Sequence, residues 1–565
     1  MPFPAASPPT QLSSLKPAVC HGVVQHDLPV EDAVTWPQLT QRGPHTDCYL
    51  EASATGLVLA NEAEASVSAT TSRSHPLHSS TSTLVAPEVS KSADPEKGMK
   101  AEDAKLVTWK EHDPANPRNW STGAKWLQVL LASLLCFLGG FSSAVITGGL
   151  PEMADHFGCS DLVMNLSVTL FVIGFGIGPL FQSPLSEMYG RRIVYLSCCF
   201  FHLVFTIPEC VTNSIAVLLV FRFLAGLSIA GVMCNAAGTI GDVFPINERG
   251  YKMATFSTIL FASPCLGPVV GGYITITIGF RWMWWVLLIF NGFCFILPAI
   301  WMRETYSPAL LRWRAIKLRK ETGDSSIMTE QERQGRPISE VLNESLLRPL
   351  YMLFCEPIMT LFSAYLCLIY GLLYGFFFAY PIVFEPHGLN AGEVGLCFIS
   401  ILVGILLVVF VAYPLQERYY QRQVVKHNYG DVPPEARLPL MMACSVVLPI
   451  SLFIFAATSI PGVHWVGPLM SGVAFGFALV GVYVSANTYL AVTFSEYPAS
   501  AMAAKAFIRS MAGASMPMWT PGMYHSIGNL WSGMTFAFIS VAMMPIPFVF
   551  FVYGAKIRNK SKMAS

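Results

Sequence analysis

Pro184-Leu185-Ser186-Glu187-Met188-Tyr189-Gly190-Arg191-Arg192 follows one long apolar run, and Pro414-Leu415-Gln416-Glu417-Arg418-Tyr419-Tyr420-Gln421-Arg422 follows another. Pro, Leu, Glu, Tyr and the final Arg align without a gap. One such match is easily found by chance, but not at equivalent points of two halves. A helix needs about 20 apolar residues to cross a bilayer's hydrocarbon. Such runs lie near 126–148, 163–183, 193–212, 216–241, 254–278, 281–302, 357–384, 393–415, 439–458, 465–489, 501–524 and 531–554. Each copy of the stretch stands after the second run of a set of six. The fold expected is all-α and integral to a membrane. Twelve transmembrane helices form two pseudo-symmetric six-helix bundles, 125–302 and 356–554, joined by a cytoplasmic central loop at 303–355. Two parallel repeats are an architecture of secondary transporters.

Composition agrees. Of 565 residues, 53% are hydrophobic and 12% charged, and the mean hydropathy is +0.50. A soluble domain carries about 25% charged residues, so most of this surface is expected to meet lipid. The net charge of +0 gives nothing to attract nucleic acid. The 14 cysteines are scattered without a C-x-x-C pair, and read as small buried hydrophobes with free thiols. Residues 1–124 are rich in Ser, Thr, Pro and Ala, and read as a disordered cytoplasmic tail. No charged segment followed by an apolar core marks a cleaved signal peptide, so the first span is expected to direct insertion.

Lys and Arg in the connections set the orientation. With the N-terminus in the cytoplasm, the inside loops hold Arg191, Arg192, Arg249, Lys252, Arg418, Arg422 and Lys426, and the tail at 555–565 adds Lys556, Arg558, Lys560 and Lys562. Arg281 is the exception outside. Both termini are expected in the cytoplasm.

The stretch Ser183 to Arg192 resembles the loop-2/3 signature of the major facilitator superfamily, Gly-x-Leu-Ala-Asp-Arg-x-Gly-Arg-Arg. Glu187 stands at the Asp position, Gly190, Arg191 and Arg192 match, and Ser183 and Met188 depart. A carboxylate and a guanidinium at a membrane surface can pair bidentately. With Asp242 at the end of span four they form a candidate gate latch; positive-inside anchoring without gating is the alternative. Gly267-Pro268-Val269-Val270-Gly271-Gly272 resembles the superfamily's antiporter signature, and small residues with a proline permit close approach and a bend. Asp113 to Ser121, Arg303 to Leu311, Glu356-Pro357-Ile358 and Phe507-Ile508-Arg509-Ser510 are similar to segments of the fungal twelve-span drug:proton antiporters. Ser495-Glu496-Tyr497-Pro498 and Lys505 depart from that pattern and leave the substrate open.

Ionisable residues inside spans are costly and therefore candidates for function. Arg222 resembles the family's span-four arginine associated with proton coupling; a structural pairing is the alternative. Glu209, near the outer end of span three, reads as a solvated carboxylate or a proton site. His202 reads as a satisfied helix-interface histidine, and Glu385 and His387 as exposed groups at the outer mouth. The resemblance puts spans one, four, seven and ten around a cavity. Span one offers Ser142, Ser143 and Thr147; span four Asn235 and Thr239; span seven Tyr365, Tyr370, Tyr374, Phe377 and Tyr380; span ten Tyr483 and Asn487. Aromatic walls with a few polar points suit amphipathic solutes. The same rings also serve as lipid-facing or packing residues.

No G-x-x-x-x-G-K-[ST] loop, Ser-His-Asp elbow, H-E-x-x-H or metal cluster appears in the sequence. The chain is expected to be no enzyme and to need no cofactor. The function expected is proton-coupled export of small organic molecules, a drug or secondary metabolite. An organic acid, a polyamine or a secreted glycolipid are the alternative cargoes, and a solute-sensing transceptor the alternative class. The partners expected are the solute, protons and the lipid bilayer, with a monomer in the plasma membrane or, alternatively, the vacuolar membrane.

Overall fold

The computed structural model describes residues 105–245, 248–334, 338–427, 432–460, 462–495, 498–561 and 563. The tail before 105, Glu496, Tyr497 and Lys562 lie outside the described residues.

Among the described residues, eleven helical runs are long and apolar enough to cross a membrane. The last, Ser500–Arg558, holds 59 residues. Straight, it would measure about 88 Å, twice what a bilayer accommodates. It reverses at Gly528, whose φ of 78° and ψ of 164° lie outside the helical region, so the runs make twelve crossings.

Span one is Thr122–Ala144, continued by a 3-10 turn at Val145–Gly149 into Leu150–Phe157. Spans two and three are Asp161–Tyr189 and Arg191–Val211. Span four runs as Ile215–Ile229 and Gly231–Val243. Spans five and six are Arg249–Ile278 and Arg281–Trp301. The second half opens with span seven, Pro357–Phe384. Span eight, Ala391–Leu407, passes through a π-helical turn at Val408–Ala412 into Tyr413–Lys426. Spans nine and ten are Pro439–Thr458 and Val466–Thr493. Span eleven covers 498–527; span twelve covers 529–543 and Pro545–Arg558.

Prolines help to join the halves. Pro521 has no N–H to give the carbonyl of Pro517. Asn165 of span two supplies the donor, with Nδ2 at 3.3 Å, and Thr169 Oγ1 donates to the Ala514 carbonyl at 2.9 Å. Span two is thereby tied to span eleven across the interface. Span five meets span eight in the same way: a Cβ on Gly272 would collide with the Ala391 carbonyl, and one on Gly395 with the Pro268 carbonyl.

The tail expected to be disordered to 124 is ordered from 105. Lys105 and Leu106 pair in parallel with Ile327 and Met328 of the central loop. Trp109 Nε1 donates to Ser307 Oγ, and Arg314 Nη1 donates to Asp113 Oδ2 at 2.6 Å. The order comes from these long-range bonds, which local composition does not encode. The loop at 303–355 is itself largely helical, with Ser307–Thr322 and Ile338–Cys355.

The Arg314 bond, then the backbone N–H of Ala115, hold the Asp113 carboxyl below its ordinary value of 3.8. A depressed folded value stabilises above the unfolded value and is lost as pH falls through the folded one. Asp113→Asn is expected to speed hydrogen exchange over residues 105–121 at pH 7, with the spans unaffected. Wild type is expected to show the same loosening only below about pH 4.

Candidate functional site

Charged side chains cluster at several places among the described residues. The first cluster lies at the end where span one begins and span twelve finishes. Arg191 is buried, 7% exposed, at the start of span three. Its Nε lies 3.3 Å from Asp242 Oδ2, and its Nη1 donates to Ser186 Oγ at 2.6 Å and Asn235 Oδ1 at 3.3 Å. Glu187 stands farther off, at 4.0 Å from Nη2. The guanidinium lies over the Tyr306 ring at 4.9 Å. Arg191, Asp242 and Glu187 thus come together. Arg192 turns away and donates to the Ala299 carbonyl at 3.1 Å. Asn235, expected in the cavity, belongs to this network instead, because its side chain points to the end of span four that Ser186 and Arg191 reach.

Sequence reasoning missed the carboxylate that organises this corner. Glu304, 6% exposed, accepts from the backbone N–H of Arg191 (2.9 Å), Arg192 (3.0 Å), Thr305 (3.0 Å) and Tyr306 (2.8 Å). It satisfies the first amides of span three, which no intrahelical carbonyl can reach, and sits at the positive end of the helix dipole. Gly190, at φ 102°, makes the turn, and a Cβ there would stand 2.5 Å from Glu304 Oε2. A lone acid just after an apolar run was the available signal.

The repeated stretch in the second half pairs differently. Glu417 Oε2 accepts from Arg437 Nη1 at 3.1 Å, and Arg437 stacks on Tyr420 at 3.3 Å, while Arg418 and Arg422 are exposed. The carboxylate is kept, but its cation comes from the connection to span nine.

The second cluster is buried in the first half. Arg222 is fully buried. Its Nε donates to the Ser167 carbonyl at 3.3 Å and its Nη2 to the Ser142 carbonyl at 3.2 Å. The Phe171 and Trp284 rings lie 4.3 and 5.3 Å from it. Glu209, read from the sequence as a solvated group or a proton site, is 3% exposed, with Oε2 at 3.9 Å from Arg222 Nη1. That is an ion pair too long for a hydrogen bond. Both Glu209 oxygens and Arg222 Nη1 lack hydrogen-bond partners. Glu209 lies within span three, two residues before its end, and faces Arg222 of span four. His202 is buried and bonds the Ala225 carbonyl through Nδ1 at 3.1 Å, and His387 bonds the carbonyls of Val383 and Val463. Glu385 is exposed.

The third cluster lies between the halves. Tyr374 of span seven meets Ser143 of span one, hydroxyl to hydroxyl at 2.9 Å. Tyr370 packs beside Tyr374 at 5.1 Å, and Tyr483 meets Phe261 at 4.7 Å. Arg509 of span eleven lies over Tyr370 at 4.5 Å and Tyr483 at 5.3 Å, and Lys505 Nζ contacts Asn487 Oδ1. Tyr370, Tyr374, Tyr483 and Asn487 therefore gather at one place, closed to solvent. Thr147 returns its hydroxyl to the Ala144 carbonyl at 2.7 Å, and Thr239 meets Tyr195 at 2.9 Å inside the first half. Tyr380 packs on Phe398 and Phe376 within the second half.

Gly267 and Gly271 let span five lie against Ala144 and Val145 of span one, while Gly272 faces span eight. With Pro268 between them, these residues hold one helix against its own bundle and against the other. A side chain at Gly271 would strike the Val145 carbonyl.

The family model for the Major Facilitator Superfamily matches residues 132–517. The chain belongs to the major facilitator superfamily. It is 41% identical over 468 residues to the MFS-type transporter paaT of Penicillium rubens, covering 82% of this chain and 85% of that one. It is 37% identical over 482 residues to the MFS-type efflux pump MFS2 of Trichophyton rubrum, covering 85% and 80%. The solved proton:xylose symporter XylE shares its fold, with a TM-score of 0.57 at 16% identity over 76% of this chain and 97% of that one. The protein is a multi-pass membrane transporter.

Arg191→Ala is expected to cut flux at matched surface expression, Asp242→Ala to do so comparably, and Glu187→Ala less, in the order of their distances. Glu304→Ala strands four backbone donors and is expected to lower the unfolding free energy by about 3 kcal/mol. Thermal unfolding of the purified variants measures this.

Proposed function

We propose that this transporter exports small organic molecules in exchange for protons, with Glu209 as the proton site and Arg222 as its fixed counter-charge. The observation that carries the reading is the buried Glu209–Arg222 pair at 3.9 Å, its facing atoms free of other partners. Arg222 keeps its proton in proteins, so the carboxylate is the member that exchanges one. Protonation of Glu209 removes the charge that draws Arg222 toward span three. The guanidinium then leans on the carbonyls of Ser142 and Ser167 alone. Ser142 adjoins Ser143, the residue that touches Tyr374 of the other half. A shift of Arg222 thus reaches the contact between the bundles through span one, just before its 3-10 turn. Proton binding and substrate binding act through the two states they favour. Protons enter from outside in one state and leave to the cytoplasm in the other, while the solute moves outward.

The Arg191 cluster serves as the inner latch and the Gly-Pro-x-x-Gly-Gly segment of span five as the seal. The name of the Trichophyton relative supports the outward direction. The distribution of Lys and Arg supports cytoplasmic termini; the membrane is read as the plasma membrane, with the vacuolar membrane as the alternative.

Glu209→Gln is expected to retain solute exchange at equal pH and to lose accumulation driven by a pH gradient. Arg222→Lys keeps the charge but not the planar fork, and is expected to impair uphill transport more than binding. Proteoliposomes with an imposed gradient, with and without a protonophore, measure both. Gradient-driven accumulation by Glu209→Gln equal to wild type would overturn the assignment.

A further inference from the structure

Lys505 and Arg509 stand four residues apart on span eleven, on one face of the helix. They are 5% and 1% exposed. Among the described residues no carboxylate pairs with either. Lys505 Nζ meets one neutral acceptor, Asn487 Oδ1. Arg509 Nη2 reaches only the thioether of Met233, a weak acceptor, at 3.3 Å, and Nε and Nη1 have no partner. Arg222 is the contrast: it has Glu209 and two carbonyls. The ring faces of Tyr370 and Tyr483 offset part of the cost of burying Arg509. An isolated buried charge is costly unless a partner meets it. Two adjacent like charges with vacant donors therefore await an anion.

We propose that Lys505 and Arg509 bind the carboxylate of an amphipathic aromatic acid, which is the substrate class of this transporter. The inference rests on the transport reading above and names the cargo of the same central site. An Arg fork takes a carboxylate bidentately, and the Lys adds a point charge beside it. The body of the acid packs among Tyr370, Tyr374, Phe261 and Met233, rings and a thioether that adapt to varied shapes. Met233 belongs to span four and Arg509 to span eleven, so the bound anion touches both halves, as an exported solute must. A polyamine would bring more positive charge to two unpaired cations and is disfavoured.

The full chain in phosphatidylcholine nanodiscs is titrated calorimetrically with benzoate, 2-naphthoate and 1-pyrenebutyrate, each beside its neutral amide and its corresponding amine. At least one carboxylate is expected to bind about tenfold or more tightly than its amide, and the amines more weakly still. Lys505→Met is expected to weaken that carboxylate by about tenfold and leave the amide unchanged. Arg509→Lys, which keeps the charge, is expected to weaken it less than Arg509→Gln. Lys505→Gln replaces Lys505→Met if the latter loses its unfolding transition. Absence of carboxylate binding, amides that bind as tightly, or a Lys505 variant that does not discriminate would overturn the proposal. Flux separates this from the transport reading. Carboxylate binding that depends on Lys505, without pH-driven movement, leaves the anion site standing and removes proton exchange. Gradient-driven movement of amides or amines with carboxylates excluded does the reverse.

Discussion

A charged side chain surrounded by hydrocarbon and helices must find its counter-charge and its acceptors inside the protein, and that requirement organises this molecule. Among the described residues Arg437 has Glu417, and four other buried cations meet the requirement differently. Arg191 has Asp242, Ser186 and Asn235. Arg222 has Glu209 and two carbonyls. Lys505 and Arg509 have an amide, a thioether and ring faces. Under the proposed mechanism, this descending order of internal satisfaction separates a latch, a proton site and a site for cargo. A group fully satisfied within one half has little reason to respond to a solute. One left with vacant donors between the halves gains most when the solute arrives.

Helix packing supplies the other half of the proposed mechanism. Small residues and prolines lie where the bundles meet, at Gly272, Gly395 and Pro268 on one side and at Pro517 and Pro521 on the other. Without side chains between them the backbones touch directly, and proline exposes carbonyls that partners across the interface can take up. Such bonds can be exchanged as one bundle rocks on the other, since they depend on a few donors rather than a continuous apolar core. The Ser143–Tyr374 contact also crosses between the bundles, and under the proposed mechanism it joins the Arg222 pair to the aromatic cluster.

Much of the fold was legible in the sequence because apolar length and the doubled Pro-Leu-x-Glu-x-Tyr stretch are local signals. The twelve runs and their six-and-six division match the described helices, even where Gly528 joins the last two. The Arg191 cluster was legible in part: Arg191 and Asp242 meet, but Glu304 organises the corner through backbone amides, and residue type alone does not advertise such bonds. Glu209 was hard to place because nearness to a helix end suggests water, whereas its burial is set by the neighbouring span. The signal was present as two opposite charges on consecutive apolar helices. Lys505 and Arg509 carried a signal too, two cations four apart in an apolar run, but Lys505 reads from the sequence as a departure from the family pattern and Arg509 as part of a matching segment. Only the structure shows that, among the described residues, no carboxylate from another span pairs with them. Residues 105–121 resisted prediction for the same reason, since Arg314 and Ser307 supply their order from about two hundred residues away.

Proposed export depends above all on Glu209 exchanging a proton while Arg222 remains charged. Infrared difference spectroscopy on the full chain in nanodiscs, stepped from alkaline to acidic pH, observes this without a known substrate. A proton-exchanging Glu209 predicts a carboxylic-acid carbonyl band that appears on acidification in the wild type and is missing from Glu209→Gln, with the guanidinium bands shifting at the same step. Identical difference spectra for the two proteins would contradict it.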